Sequence, residues 1–413
     1  MSSLIVEVCK IGSIQPHDNA DKLEIAIIKG WQCVVTKDKY KKGDKVIYIP
    51  IDSMIPFELS EKLGITKYLQ NKKTDKLGTV ISSSNRVRTI KLRGTLSQGL
   101  IIDIQDPSWK VGKDVREKLG IEKYIPKCNM GNGKNKNKKN LIWQLPAYPE
   151  FTKYTDIENY KNFLSVIEEG EEVVATEKIH GTNARMARII IDPSYFSVFD
   201  RIKIRLKKIG SSLSFGLYNY DPSMFLVGSH NCNIKKLNDG EQNNRIPFSR
   251  TSMEVYWEMA LKYGLDQKLK EGEEIFGEIY GSGIQKYLEY DGSVEIKIRF
   301  FDLKIRDEHG NMVYIDWDSF IERCKDLDLP TVPILYRGPF SHEILPNLVT
   351  GQSTLGNHIR EGCVIKPVKE RFHPKLGRVI LKYLNDDYLL LKGKKEDELH
   401  KQNEEAELDI FDH

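Results

Sequence analysis

The chain has 413 residues, 40% of them hydrophobic and 30% charged, with a mean hydropathy of −0.45. That balance is globular, the length leaves room for about two or three domains, and no run approaches the roughly 18 consecutive apolar residues that a membrane-spanning helix needs. The formal net charge of +4 hides an asymmetry, because residues 1–140 carry a net +12 and the remainder a net −8; the front half is either a face for a polyanion or a lysine-rich solvated surface.

The start, Met1-Ser2-Ser3-Leu4-Ile5, has no basic stretch ahead of a long apolar run, so a secretory signal is not expected. Short β-rich runs follow at 4–8, 23–28, 32–35, 45–49, 87–92 and 99–102, separated by turn signals such as Asp18-Asn19, Lys29-Gly30 and Lys42-Gly43-Asp44. Such spacing predicts a small β-barrel over residues 1–127. A helix is expected at 111–119. The stretch from Cys128 to Asn140 has Met130 as its only large apolar side chain and cannot build a core, so 128–147 reads as a Lys/Asn-rich linker.

Behind the linker the pattern turns mixed. Helical spacing marks 156–170, through Ile157, Tyr160, Phe163, Leu164 and Ile167, and 252–263, through Val255, Tyr256, Met259 and Leu261. Strands are expected at 172–175, 275–279, 295–303, 363–366 and 378–384. Residues 148–395 therefore read as a second, α+β domain, and 396–413 as a charged tail. The six cysteines, Cys9, Cys33, Cys128, Cys232, Cys324 and Cys363, are far apart and form no CxxC. They read as free thiols of an intracellular, reducing compartment, cytoplasm or nucleus.

The residues with chemical potential lie in the second domain. Glu177-Lys178-Ile179-His180-Gly181-Thr182-Asn183 follows the apolar run Val173-Val174-Ala175, which places it at a strand end. A lysine amine is a nucleophile only when unprotonated, and its reference pKa of about 10.4 requires burial and a nearby cation or metal to lower it. Gly181 lets the backbone approach a ligand. Taken alone, the segment reads better as an ordinary turn with an exposed lysine, since so short a pattern often arises without function. Downstream, alternation places Glu274, Phe276, Glu278 and Tyr280 on one strand face. In 295–303, Lys297, Arg299 and Phe301 share the polar face, followed by Asp302.

Glu177 to Asn183 resembles motif I of covalent nucleotidyltransferases, in the form used by ATP-dependent RNA ligases of the phage RNA ligase 2 type. DNA ligases and mRNA capping enzymes carry an aspartate where this chain has His180. Four further stretches resemble the family's motifs, and they follow in order. Glu274-Ile-Phe-Gly-Glu278 is similar to motif III and Phe301-Asp302 to motif IIIa, whose phenylalanine stacks on adenine. Glu361-Gly-Cys-Val-Ile-Lys366 is similar to motif IV and Arg378-Val-Ile-Leu-Lys382 to motif V. Two positions depart from the pattern: Ile380 stands where many relatives have the first lysine of Lys-x-Lys, and His230 stands where motif Ia has an arginine. In the front domain, Ile14 to Glu24 is similar to the opening of tRNA-binding OB modules, and Ser97-Gln98-Gly99 closes a strand there. An OB module ahead of this core resembles the RNA ligase 5 family.

The resemblance implies an N-terminal OB-like barrel and an adenylation domain of antiparallel sheets flanked by helices. It implies an ATP-dependent RNA ligase that joins 5′-phosphate and 3′-OH ends, at RNA-terminated nicks in duplexes, through lysyl-AMP and an adenylylated end. Lys178 would be the nucleophile; Thr176, Glu177 and Phe301 would form the adenine pocket. Glu278 and Glu361 would hold Mg2+ or Mn2+, with Asn183 beside the ribose or metal waters. His180 would orient phosphate or a metal-bound water, and Lys382 would neutralise the α-phosphate. Further phosphate or strand-end contacts would fall to His230, Lys366 and Arg378. The expected partners are RNA or a nicked RNA–DNA duplex, not a membrane, and the expected state is a monomer. The basic run Asp200–Lys208 is either an RNA-contacting insertion or a solvated amphipathic helix. Two rivals stand beside this reading: an RNA-binding protein with a catalytically weak core, and a guanylyltransferase.

Overall fold

A computed structural model describes residues 4–69, 72–74, 80–83, 85–124, 144–145, 148, 150–190, 223–234, 254–284, 290 and 295–391. The basic run 200–208, the tail 396–413, Cys128 and all but two residues of the expected linker lie outside them. The described residues form two compact units, each discontinuous in sequence. One draws on Met1–Met130, Asp156–Ile167 and Leu381–His413, the other on Gly131–Thr155 and Glu168–Ile380.

The first unit is built on two three-stranded antiparallel sheets. Strands Glu7–Lys10, Lys45–Ile49 and Leu100–Asp103 form one; Ser13–Pro16, Leu23–Ile28 and Trp31–Thr36 form the other. The strand Lys45–Ile49 is buried on both faces. Ile47 and Ile49 join a core with Val6, Val8 and Trp109, while Val46 and Tyr48 join a second with Ile28, Trp31 and Cys33. Trp31, Tyr40 and Tyr48 are all core residues. Tyr48 donates to Gln98 O at 2.9 Å and Tyr40 to Asp103 at 2.8 Å, which satisfies both buried hydroxyls.

Two expected helices are absent. In place of one at 111–119, only a short 3-10 turn forms at Glu117–Leu119, because the Val115 amide is drawn to Val6 O at 2.7 Å. In place of one at 156–170, Glu158–Asn159 is a strand parallel to Leu381–Leu384, followed by a 3-10 turn at Tyr160–Asn162. Asn159 accepts from the Lys161 amide at 2.9 Å, a local side-chain bond that competes with helix formation. Of the helically spaced residues Tyr160 and Ile167 are buried and Ile157, Phe163 and Leu164 half-buried, so the spacing reports burial rather than helix.

The second unit holds a seven-stranded sheet with the order Gln144–Leu145, Asn233–Ile234, Ser223–Ser229, Thr182–Ile190, Glu273–Gly281, Ile296–Arg306, Met312–Tyr314. A smaller antiparallel group places Glu172–Glu177 between Ile334–Pro339 and Gly362–Pro367. The helix Glu254–Lys262 forms as expected, although Leu261 points outward, 40% exposed. A helix the sequence reading missed, Trp317–Leu327, buries Trp317, Phe320, Cys324 and Leu327 as one stripe. The expected strand 378–384 is split, with Gly377–Arg378 in a hairpin and Leu381–Leu384 a separate strand. Among the described residues every cysteine is a free thiol, and no helix is long and apolar enough to cross a membrane.

Candidate active site

The site is assembled where the chain passes from the small sheet group to the large sheet. Glu177, the last residue of its strand, pairs with Cys363, and the next amide, that of Lys178, donates to Gly362 O at 3.0 Å. This register lays Lys178 beside Glu361. After four residues the chain enters Thr182–Ile190, where Asn183 pairs with Glu278. The segment 178–181 thus spans two sheets, one bringing Glu361 and the other Glu278. Gly181 is forced by this crossing, since a Cβ there would lie 2.2 Å from Ile279 O. Gly181→Ala is therefore expected to displace the lysine loop and lower activity by about a hundredfold, a cost in the range of misplaced reacting groups. Single-turnover rates of the two proteins at matched thermal stability check this.

Lys178 Nζ lies 2.9 Å from Glu361 Oε1, and His180 Nδ1 is 3.6 Å from Oε2 of the same carboxylate. Burial alone would raise the Glu361 pKa, but Lys178 and His180 outweigh it and hold the carboxyl down at about 2. Glu278 behaves oppositely: burial, reinforced by Glu361, pushes it up to about 8 against the pull of Lys178 and the Gly181 amide. Burial would lower the Lys178 ammonium, yet Glu361 and Glu278 together leave it raised. The sequence argument called for a lowered lysine. The structure shows instead an ammonium paired with Glu361 and within the field of Glu278, so the lowering must come from added positive charge.

The donor set fits a divalent cation. Glu361 Oε2 and Asn183 Oδ1 are buried with no hydrogen-bond partner, and two carboxylates with unlike pKa values face one lysine. Magnesium or manganese takes one or two carboxylates and fills its remaining positions with water and phosphate oxygens. Among the described residues no group of three His, Cys, Asp or Glu side chains stands ready to cage a metal alone.

The residues expected around adenine are held by a bulge and a loop. In the pairing of Glu273–Gly281 with Ile296–Arg306 the register shifts: Phe276 faces Asp302, while Gly277 faces Phe300. Phe301 is the extra residue. Plain alternation would put Asp302 on the face opposite Phe301 and Arg299. The bulge returns Asp302 to the face of Arg299, Glu278 and Phe276. Phe301 stays half-buried, edge-on to Tyr154 at 5.0 Å. Thr176 is buried in its strand. Both Glu177 oxygens are occupied: Oε1 accepts from the Ser353 hydroxyl at 2.5 Å, and Oε2 from the Thr354 amide at 2.9 Å and hydroxyl at 2.6 Å. Glu177 thereby ties the loop ahead of Glu361 to the lysine strand.

Lys366 and Arg378 are buried and committed to carboxylates. Lys366 donates to Asp302 at 3.0 Å and Glu370 at 3.2 Å; Arg378 donates to Asp302 at 2.6 Å and to Glu370 at 2.5 Å and 2.7 Å. Tyr154 adds a 2.8 Å bond to Asp302. These cations brace Asp302 and the bulge, in place of the open phosphate contacts that motif position alone implies. Ile380 is 3% exposed, so the position of the first motif V lysine is a core position in this chain. His230 follows Ser223–Ser229; burial lowers its pKa, and Lys153 and Arg185 lower it further. Lys382 lies in the first unit, on Leu381–Leu384 beside Asn159.

Sequence reasoning missed Tyr290, whose hydroxyl accepts from the His180 amide at 2.8 Å, and Tyr256, which shares a 2.7 Å bond with the Thr182 hydroxyl. It also missed Arg185, which is buried and donates to Phe151 O, Ser229 O and Asn233. Two arginines, Arg185 and Arg188, among the apolar residues of Ala184-Arg-Met-Ala-Arg-Ile-Ile190 are the one signal that pointed to it.

Comparison with known proteins gives the family and the fold. Residues 171–384 match the RNA ligase family, and residues 5–104 match an OB-fold domain. The fold is similar to that of Naegleria gruberi RNA ligase. An apo variant of it is 23% identical, with a TM-score of 0.66, over 93% of this chain and 97% of that one. A structure of that ligase with PPi is 23% identical over 94% and 98%, with a TM-score of 0.66. A variant with AMP and Mn is 22% identical over the same shares, with a TM-score of 0.67. A lysine flanked by two carboxylates at the crossing of two sheets lies within the matched span, and this chain belongs to the RNA ligase family.

Proposed function

We propose that the chain is an ATP-dependent RNA ligase that seals 5′-phosphate to 3′-OH ends, at nicks whose 3′-OH strand ends in RNA. The observation that carries this is Lys178 Nζ at 2.9 Å from Glu361 and within the field of Glu278. In the first step Lys178 Nζ, having lost its proton, attacks the α-phosphorus of ATP. A nitrogen–phosphorus bond forms, the bond from the α-phosphorus to the bridging oxygen breaks, and pyrophosphate leaves. AMP then passes to the 5′-phosphate, and the 3′-OH displaces it. The covalent route divides one difficult condensation into easier transfers. A divalent cation held by Glu361 and Glu278, with Asn183 nearby, would draw off the carboxylate charge that holds the ammonium and would offset phosphate charge.

Phe301 supplies the aromatic face for adenine, and Glu177 with Ser353 and Thr354 fixes the strand end beneath it. His180, anchored at its amide by Tyr290, orients phosphate. Lys382 keeps its assignment as the α-phosphate contact and His230 as a contact to the strand end. Naegleria gruberi RNA ligase has been solved with ATP and Mn and with AMP and Mn, which supports the same nucleotide and a divalent metal here. The chain acts as a monomer inside the cell. The test is incubation of pure protein with α-labelled ATP or GTP and Mg2+ or Mn2+. The expected result is a gain of one AMP on Lys178 from ATP alone. Labelling from GTP instead would establish a guanylyltransferase, and no adduct with either metal would leave an RNA-binding role.

A further inference from the structure

A buried lysine ties three segments of the first unit together, and no step of the proposed chemistry uses it. Lys161 is 5% exposed. Its ammonium donates to Gln98 Oε1 at 2.7 Å and to Asp386 Oδ1 at 3.3 Å, and Gln98 Nε2 donates to the same Asp386 oxygen at 2.7 Å. The ring of Trp31 lies 5.1 Å from the ammonium and that of Tyr383 5.4 Å. Tyr383 is stacked in turn on Tyr160 at 5.6 Å. The backbone is gripped as well. The Gly30 amide donates to Lys161 O at 3.1 Å, and Trp31 Nε1 donates to Asn162 at 2.7 Å.

The Ser97-Gln98-Gly99 signature has its explanation here. Ser97 Oγ accepts from the Val34 amide at 3.0 Å, which fixes the strand end against Trp31–Thr36. Gly99 has φ +103, and a Cβ there would lie 2.7 Å from Ile49 O and from the Tyr48 ring. Only glycine lets the chain turn so closely over Tyr48, and that turn aims Gln98 at Lys161. A methionine would fill the space of Lys161 without burying a charge. A buried ammonium satisfied by one amide, one carboxylate and two ring faces fixes a single arrangement rather than adding bulk.

What that arrangement fixes is the strand Leu381–Leu384. Lys382 is flanked by Tyr383 and Asp386, both in the cluster, and pairs with Asn159, whose side chain caps Lys161. We propose that Gln98 and Lys161 are positioning residues for Lys382: the barrel sets the geometry of the motif V lysine through the Gln98–Lys161–Asp386 cluster. This rests on the reading of Lys382 as a phosphate contact. Among the described residues the Gln98 side chain bonds only within the cluster, while its backbone oxygen serves Tyr48 and Cys33 independently, so replacing the side chain tests the cluster without removing those two bonds.

The experiment is a double-mutant cycle on the single-turnover rate of lysyl-AMP formation, at saturating ATP, with melting temperatures recorded for every variant. Gln98→Met is expected to slow the step about tenfold in the otherwise unaltered protein, and by less than about twofold when Lys382 is already alanine. Lys161→Met should behave like Gln98→Met, and Lys161→Arg, which keeps a donor in the cluster, should recover most of the rate. Equal slowing in both backgrounds, or no slowing in either, would overturn the inference while leaving the adduct on Lys178 intact. No adduct from the unaltered protein would overturn the reading of the site, and the inference with it.

Discussion

Lys178→Ala is expected to abolish the AMP adduct, with the rate of nucleotide transfer from ATP falling on the order of 10⁴-fold or more, as for loss of other covalent nucleophiles. No neighbour can replace the amine. His180 faces the other oxygen of the same Glu361 carboxylate at 3.6 Å, and its amide is held by Tyr290. Lys366 is the next lysine in the unit's motifs and is buried against Asp302 and Glu370. The fold should survive, because the Lys178 side chain is 26% exposed and its loss leaves Glu361 with His180 and with access to its own protonation. Circular dichroism and melting near those of the parent protein would show that the loss is chemical. A nicked duplex supplied with an already adenylylated 5′ end should still be sealed, since the bond to be formed there no longer requires the lysine. Retention of an adduct by Lys178→Ala, located on another residue by mass spectrometry, would sink the assignment. Lys178→Arg separates charge from nucleophilicity: it should keep the ion pair with Glu361 and form no adduct.

The parts of the site legible in the sequence are those whose chemistry is local. Glu177 to Asn183 holds the proposed nucleophile, the turn and the amide proposed beside the ribose in seven residues, and its place after an apolar run located it at a strand end. Glu278 and Glu361 were recoverable because each sits in a short run with a recognisable order. Support that comes from afar left no such trace. Ser353 and Thr354 reach Glu177 across about 176 residues, and Tyr154 reaches Asp302 across 148. The bulge at Phe301 is invisible to alternation, because a single extra residue looks like one more step of a regular strand until its partner is known. Charge was misleading for the same reason. Lys366 and Arg378 in a motif suggest phosphate, but the carboxylates that take them, Asp302 and Glu370, are distant or unremarkable in sequence. The two absent helices show the converse error. Helical spacing at 156–170 came from Tyr160 and Ile167 being buried for separate reasons, with Ile157, Phe163 and Leu164 half-buried between them, while Trp317–Leu327 is an amphipathic helix with no counterpart among the expected elements. Lys382 was found by its motif, yet nothing local showed that its strand is anchored to Lys161 and Gln98 of the barrel.

Asp302→Asn should strongly destabilise the second unit. The carboxylate is fully buried and takes three charged or polar donors: Lys366, Arg378 and Tyr154. Asparagine keeps the shape but removes the charge, so the buried ammonium and guanidinium are left with Glu370 alone. Breaking a buried pair from one side costs about 3–5 kcal/mol, because the remaining charge is uncompensated. For a unit of this size that is a fall in melting temperature on the order of 10 °C. Tyr154→Phe, which removes one neutral donor, should cost only about 1 kcal/mol. The acid side of the stability curve supplies a second readout. Burial would raise the Asp302 pKa, but Arg378 and Lys366 outweigh it and leave it below the usual carboxylate value of about 3.9. A group depressed in the folded state stabilises the fold above its unfolded value and loses that contribution as pH falls through its folded one. The parent protein should therefore lose stability below about pH 4 more steeply than Asp302→Asn, in which this group no longer titrates. Denaturant melts at pH 7 and at pH 3 measure both effects. A variant as stable as the parent at pH 7 would show that Glu370 suffices for both cations. A difference from the parent that persists undiminished into acid would show that Asp302 acts by shape, not by charge. The functional consequence follows from the bulge: with Asp302 no longer drawing the strand inward, Phe301 loses its fixed position, and the apparent affinity for ATP should weaken even at temperatures where the variant remains folded.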